Sequence, residues 1–199
     1  ELLDASGEGA LTFRALTQRL ATGPGAIYWH VANKDELLAA ATDAVVAAAL
    51  ATEPSATSPR DEIRAVAFGL FDAIEEHPWL ATQLTAQLSR SPAGSVTPRI
   101  FESIGRQIRA LGVPEASWFT ATSALTHYIL GAAGQNAANA GTLGSDMDRA
   151  GFLDTVSTAW ENLDADDYPF ARAVANQMRD HDDREQFLAG VDLILAGIT

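Results

Sequence analysis

The sequence contains no cysteine, which excludes disulfide bonds and thiolate metal ligands. No apolar run approaches the roughly 18 residues that a membrane-spanning helix needs. No basic segment followed by an apolar stretch marks a signal peptide. We therefore expect a cytoplasmic protein with no membrane partner. Hydrophobic residues still make up 47% of the 199 residues, so the chain can bury a sizeable core.

Positive charge is also scarce, with 13 Lys and Arg residues against 26 Asp and Glu and a net charge of −13. This balance argues against a general nucleic-acid coat protein. From Leu11 to Lys34, however, there is no acidic residue, and Lys34 is the only lysine in the chain. Exposed charges act over roughly 8 Å at physiological salt. A local surface that tolerates phosphate is therefore compatible with an acidic chain.

The hydrophobic pattern predicts an all-α protein. Alternating runs of β-branched residues are absent, and Ala, Leu, Glu and Gln dominate the periodic segments. The turn-rich stretch 52–60 divides a domain over 1–50 from a second helical domain over 51–199. The chain begins inside an apparent helix, stopped by Gly7 and Gly9, so we expect the natural N-terminus and its arm to be missing.

Two short helices occupy the acid-free segment. Thr12 is a good N-cap for a helix over residues 13–20, and Pro24 fits the first turn of a second helix that ends near His30. Asn33 then caps a longer helix that begins at Lys34. Two short helices joined by a tight turn are typical of a helix-turn-helix, whose second helix enters the major groove of DNA.

Several side chains in this unit suit contact with DNA. Thr22 and the free backbone amides of the turn are well suited to bind an anion. Gly25 lets the second helix approach a base edge closely. Tyr28 can give its hydroxyl to a phosphate, and Lys34 adds its charge to a helix N-terminus.

Simpler interpretations remain open for each feature. A two-helix unit can be only a structural hairpin. We expect Trp29 in the core or at a packing edge rather than stacked on a base. His30 could be a phosphate donor or a structural cap. Arg14 and Arg19 could contact phosphates, but such residues are also routine on solvated helix faces.

The run YWHVANKDELL (28–38) resembles the end of the recognition helix and the start of the next helix in the TetR family of repressors. The resemblance implies phosphate contacts at Thr12, Tyr28 and Lys34. It also implies positions near bases or backbone at Thr22, Pro24, Gly25, Tyr28 and His30. A double-stranded DNA operator is the implied partner.

The segments HYILG (127–131), DADDYPFA (164–171) and REQFLAGVDLILAGI (184–198) resemble the tetracycline-repressor-type regulatory domain. That resemblance implies an all-helical homodimer released from DNA by a small-molecule effector. The implied pocket would use aromatic and polar side chains of the second domain, and we expect Phe71, Trp79, Trp118, His127 and Tyr128. On the long helix His127 is preferred to Gln135 and Asn136, because helical geometry prevents all three from facing one cavity.

Small residues over 131–141 and an apolar stripe over 187–198 predict close helix packing. From the residues alone this is a dimer interface or a seam inside one subunit. The resemblance favours the dimer.

No catalytic, cofactor or metal site is expected. The run HDDRE (181–185) has adjacent polar residues that do not converge on a metal. No histidine lies between 85 and 95, where the resemblance would place one, so tetracycline is not the expected effector. We predict a ligand-responsive repressor and not an enzyme. The alternatives are an all-helical carrier or enzyme with a structural N-terminal hairpin, and a protein-interaction domain that no longer binds DNA.

Overall fold

The computed structural model describes residues 1–51, 58–90, 94–142 and 149–198, without the side chains of residues 141 and 142. Within these ranges the regular structure is helical, which confirms the all-α prediction. The α-helices are α1 (Leu2–Ala10), α2 (Phe13–Leu20), α3 (Pro24–Tyr28), α4 (Lys34–Ala49), α5 (Pro59–Glu76), α6 (Trp79–Arg90), α7 (Val96–Ala110), α8 (Trp118–Thr142), α9 (Arg149–Glu161), α10 (Pro169–Val174) and α11 (Asp183–Ile198). Two short 3₁₀ helices span Glu115–Ser117 and Ala175–Met178.

Local capping sets the helix boundaries of the first domain. Thr12 accepts a hydrogen bond from the Ala15 amide at 3.1 Å, and Asn33 accepts one from the Glu36 amide at 2.9 Å. The predicted stop at Gly7 is confirmed in part. Gly7 is non-helical, with φ at 66°, so the first helical piece ends there, and a second short piece follows this kink up to Ala10.

The main core lies in the second domain, where α5, α7, α8 and α11 pack together with α6. Its centre includes fully buried Leu70, Ile104, Leu125 and Phe187. A smaller cluster of Leu3, Leu11 and Leu38 joins α1 to α4. Trp79, at the start of α6, packs against both clusters.

The apolar stripe of α11 belongs to this internal core. Phe187, Val191 and Leu195 are buried within the single chain, whereas Leu193 is 74% exposed. A Cβ added to Gly134 of α8 would lie 3.5 Å from the Cβ of Ala81 on α6. Phe187, Val191, Leu195 and Gly134 therefore pack inside the subunit. The part that α8 and α11 play in a dimer stays a prediction.

The proposed domain boundary lies partly outside the described residues, at 52–57. The division near residue 50 therefore stays a prediction. Helix α10 is followed directly by the 3₁₀ helix Ala175–Met178, and the 3₁₀ helix Glu115–Ser117 leads directly into α8.

The crossing of α4 and α5 gives a test of the packing. A Cβ on Gly69 would lie 2.4 Å from the carbonyl oxygen of Ala49. Because backbone cannot move aside cheaply, Gly69→Ala should lower the free energy of unfolding by about 1–3 kcal/mol in urea denaturation. The control is Gly9→Ala, where no atom lies within 4 Å, and it should be neutral or stabilising by up to about 1 kcal/mol. Equal stability of the two variants would contradict this packing.

Candidate DNA interface and effector cavity

The acid-free segment folds into an exposed surface made by α2, α3 and the start of α4. Thr12, Pro24, Gly25 and His30 are exposed there, and Thr22 is half-buried. Ile27 is buried beneath α3 and anchors it. No atom lies within 4 Å of a Cβ added to Gly25, so its small size serves no internal packing. The open side of α3 is free for a partner to approach.

Two aromatic residues of α3 and its C-terminus stand out from this surface. The ring of Tyr28 stacks on Phe13, with 4.5 Å between centroids and 12° between planes, yet Tyr28 remains 55% exposed. Trp29 is 87% exposed, so the expectation that it lies in the core or at a packing edge is wrong. A large apolar side chain held in water is the kind of group that a binding partner covers.

The cationic groups of the surface differ in their partners. Arg19 pairs with the carboxylate of Glu1, whereas no carboxylate pairs with Arg14 among the described residues. Lys34 is half-buried, and its Nζ donates to the carbonyl oxygen of Glu8 on α1. An ammonium group has three donors, so Lys34 keeps two for a phosphate while α1 fixes its position. Lys34 is thus neither paired with a carboxylate nor fully solvated, since its described partner is a backbone carbonyl.

Two adjoining cavities lie in the second domain. The first, about 580 Å³, is lined by Phe71, Glu75 and Pro78 together with α8 and the start of α11. The second, about 550 Å³, lies between α8, α9 and α11 and is lined by Tyr128, Phe152 and Phe187 among others. Their volumes are typical of small-molecule sites, and apolar and aromatic groups predominate in such sites.

A polar cluster sits where the cavities meet. Asn136, Arg149 and Asp183 line both. Arg149 and His181 contact Asp183 at 2.7 and 2.9 Å, so these groups satisfy one another. The carboxamide of Asn136 has no partner among the described side chains and is free to hydrogen-bond to a ligand.

Two of the five predicted pocket residues line the cavities. Phe71 lines the first cavity, and Tyr128 lines the second. Burial raises the pKa of Tyr128 above its ordinary value, so its hydroxyl stays protonated and donates to the Phe187 carbonyl oxygen at 3.1 Å.

The structure places the other three predicted residues elsewhere. His127 is exposed, because one step along a helix is 100° and Tyr128 takes the inward direction. Trp118 donates its indole N–H to the Val113 carbonyl oxygen at 2.7 Å, about 15 Å along α8 from Tyr128. Trp79 donates its indole N–H to Asp4 of α1 at 2.7 Å. Gln135 and Asn136, to which His127 was preferred, both line the second cavity, whereas His127 does not.

Two family models match the chain. Residues 1–41 match the family model of bacterial regulatory proteins of the tetR family. Residues 53–199 match the tetracyclin repressor-like C-terminal domain.

The chain belongs to the TetR family. Members of this family are ligand-responsive, DNA-binding transcriptional repressors and not enzymes, and they act on DNA operators, typically as dimers. The predicted regulator is therefore confirmed, and the carrier or enzyme alternative is not favoured. None of the described helices is long and apolar enough to span a membrane.

Similar proteins match this chain over nearly its full length. An HTH-type transcriptional regulator of Saccharopolyspora erythraea is 30% identical over 199 residues, covering 100% of this chain and 80% of the relative. A solved TetR regulator of Streptomyces coelicolor is 70% identical, covers 99% and 91% of the two chains, and has a TM-score of 0.91. ActR of Streptomyces coelicolor, in complex with actinorhodin, is 27% identical, covers 98% and 90%, and has a TM-score of 0.76.

Sequence reasoning missed Phe152, Arg149 and His181 as cavity residues. Their place depends on how α9 and α11 pack on α8, and no local motif encodes that packing. HDDRE, considered only as a metal site, instead supplies Asp182, Asp183 and Arg184 to the cavity walls.

The exposure of Trp29 leads to a test of the DNA surface. Trp29→Ala should leave the free energy of unfolding unchanged within about 0.5 kcal/mol, because the side chain is 87% exposed. It should weaken binding to a duplex that the protein selects from a random pool by about tenfold, as truncating a buried interface tryptophan does. Fluorescence anisotropy measures the affinity.

The matched control is Phe119→Ala, which removes a 75% exposed aromatic from α8 and should leave duplex affinity unchanged. Full affinity in the Trp29 variant would remove Trp29 from the interface.

Proposed function

We propose that this TetR regulator reads its operator with α3 and contacts phosphates on both sides of that helix. An aromatic effector bound in the paired cavities releases it from DNA. The observation that carries the DNA part is the surface of residues 12–34, which is free of acids in a chain of net charge −13 and holds Trp29 exposed. Gly25, Tyr28 and Trp29 face the groove in this proposal, with Pro24 beginning the helix. Chromosomal DNA as partner supports a cytoplasmic location.

Phosphate contacts would set the register of α3 in the groove. We assign them to Thr12, Thr22, His30 and Lys34, with Arg14 as a further donor. Thr12 already accepts the Ala15 amide with its oxygen, so its hydroxyl hydrogen is available for a phosphate. The positive end of the α4 dipole adds to the charge of Lys34.

Two copies of the chain would present two recognition helices to successive major grooves, about 34–36 Å apart or a multiple of that. The exposed apolar side chains Phe170 of α10 and Leu193 of α11 support a homodimer through the second domain. Water-exposed apolar groups concentrated in one domain are expected at the interface of a stable dimer.

Lys34→Ala tests the phosphate contacts and the number of subunits together. The slope of log K against log salt should become shallower by about 0.9 for each phosphate that is no longer neutralised, and by about twice that if two copies bind. Affinity should fall alike for selected and unrelated duplexes. Arg106→Ala, an exposed arginine on α7, is the control and should leave the slope unchanged. An unaltered slope in the Lys34 variant would exclude its contact, and a change near 0.9 would exclude a symmetric dimer.

The effector class follows from the walls of the paired cavities. Phe71, Tyr128, Phe152 and Phe187 offer aromatic faces, and Asn136 offers an unpaired carboxamide. A flat aromatic molecule carrying oxygen acceptors fits these groups. The complex of ActR with actinorhodin supports this class, because ActR shares the fold at 27% identity.

Actinorhodin is therefore the first probe. It should bind the protein in a calorimetric titration, and Phe152→Ala should weaken binding by about tenfold without altering affinity for the selected duplex. The control, Phe170→Ala, removes an exposed aromatic that lines neither cavity and should bind the probe normally. No binding to the parent protein would refute this effector class, and equally weakened binding in both variants would refute the site.

A further inference from the structure

Residues His77, Pro78 and Trp79 join the effector cavity to the DNA-binding domain. Pro78 lines the first cavity. Its two neighbours hold one residue of α1: Nδ1 of His77 lies 2.7 Å from Oδ1 of Asp4, and the indole N–H of Trp79 donates to the same oxygen at 2.7 Å. Because an ionised carboxylate only accepts hydrogen bonds, Nδ1 of His77 carries the proton.

The contact continues one turn along α1. Nε2 of Gln83, on α6, donates to Oε1 of Glu8 at 2.8 Å. The backbone carbonyl oxygen of Glu8 accepts from Nζ of Lys34, the proposed phosphate donor. Helix α1 is thus held by the second domain on one side and positions Lys34 on the other.

The segment is suited to transmit a displacement. Proline fixes its own φ, so Pro78 cannot yield by a local backbone rotation about that bond. The ring of Trp79 packs against both the main core and the Leu3–Leu11–Leu38 cluster. A ligand that pushes on Pro78 therefore moves two side chains whose hydrogen bonds end on α1.

We propose that residues 77–79 and Asp4 form an interdomain latch. An effector seated against Pro78 withdraws His77 and Trp79 from Asp4, frees α1 from α6, and removes the support that positions Lys34. Asp4, His77 and Trp79 are positioning residues in this scheme, since none touches DNA or effector. The inference rests on the proposed effector cavity and names its route of regulation.

A second pair across the domains provides the control. Arg99 of α7 contacts Asp43 of α4 at 3.3 Å. Arg99 and Asp43 line neither effector cavity. Removing this pair weakens interdomain contact in general while leaving the latch intact.

The absence of cysteine allows a thiol reporter in the cavity. Ala137, half-buried on α8, lines the first cavity with Pro78, so Ala137→Cys reports on that wall through its rate of maleimide labelling. Coupling between two sites is reciprocal. Breaking the latch at α1 must therefore change the cavity, and the experiment needs no effector.

In the reporter background, Asp4→Ala and Trp79→Phe should each change the labelling rate by about fivefold, and Asp43→Ala should not. A selected duplex should alter the rate in the latch-intact reporter protein and fail to alter it, at saturating duplex, in the Asp4→Ala variant. Circular dichroism checks that each variant is folded, and Trp79→Phe keeps the ring packing if Asp4→Ala does not fold.

Unchanged labelling in both latch variants, or an equal change in Asp43→Ala, would overturn the latch. So would a duplex effect of the same size with and without Asp4. The outcome of the actinorhodin titration does not depend on the labelling experiment. If the labelling rate responds as expected but actinorhodin does not bind, the latch is supported and only the assigned effector is refuted.

Discussion

The docking of α1 and α4 against α5 and α6 fixes the arrangement of the two domains. Trp79 packs against both hydrophobic clusters and at the same time donates to Asp4, so apolar and polar interactions coincide at one residue. The smaller cluster has three buried leucines and gains apolar area from Trp79. The first domain is therefore stabilised in part by the second, which makes its position sensitive to movement there.

Electrostatics adds a second constraint. A chain of net charge −13 repels DNA unless its acids stay away from the contact surface. Residues 11–34 contain no acid. The carboxylates of Asp4 and Glu8 on α1 accept hydrogen bonds from Trp79 and Gln83 of α6.

Sequence alone predicted the elements whose ends are set by local chemistry. Thr12, Pro24 and Asn33 fix the starts of three helices through caps and a proline, and each start was predicted correctly. The rest depends on packing. Helix α8 carries apolar residues around much of its surface, so its inward side could not be identified, and His127 was preferred to residues that line the cavity. Trp29 was expected inside because tryptophan is highly buried on average, and its exposure depends on how α3 packs on the rest of the domain.

If the latch operates as proposed, DNA binding at residues 12–34 changes residues 77–79 beside the effector cavity. Hydrogen–deuterium exchange with mass spectrometry, with and without a selected duplex, tests this directly. We expect slower exchange over residues 12–34, altered exchange at the amides of His77, Trp79 and Leu80, and no change over residues 100–108 in the core of α7. Protection confined to residues 12–34, with residues 77–80 unaffected, would contradict the claim.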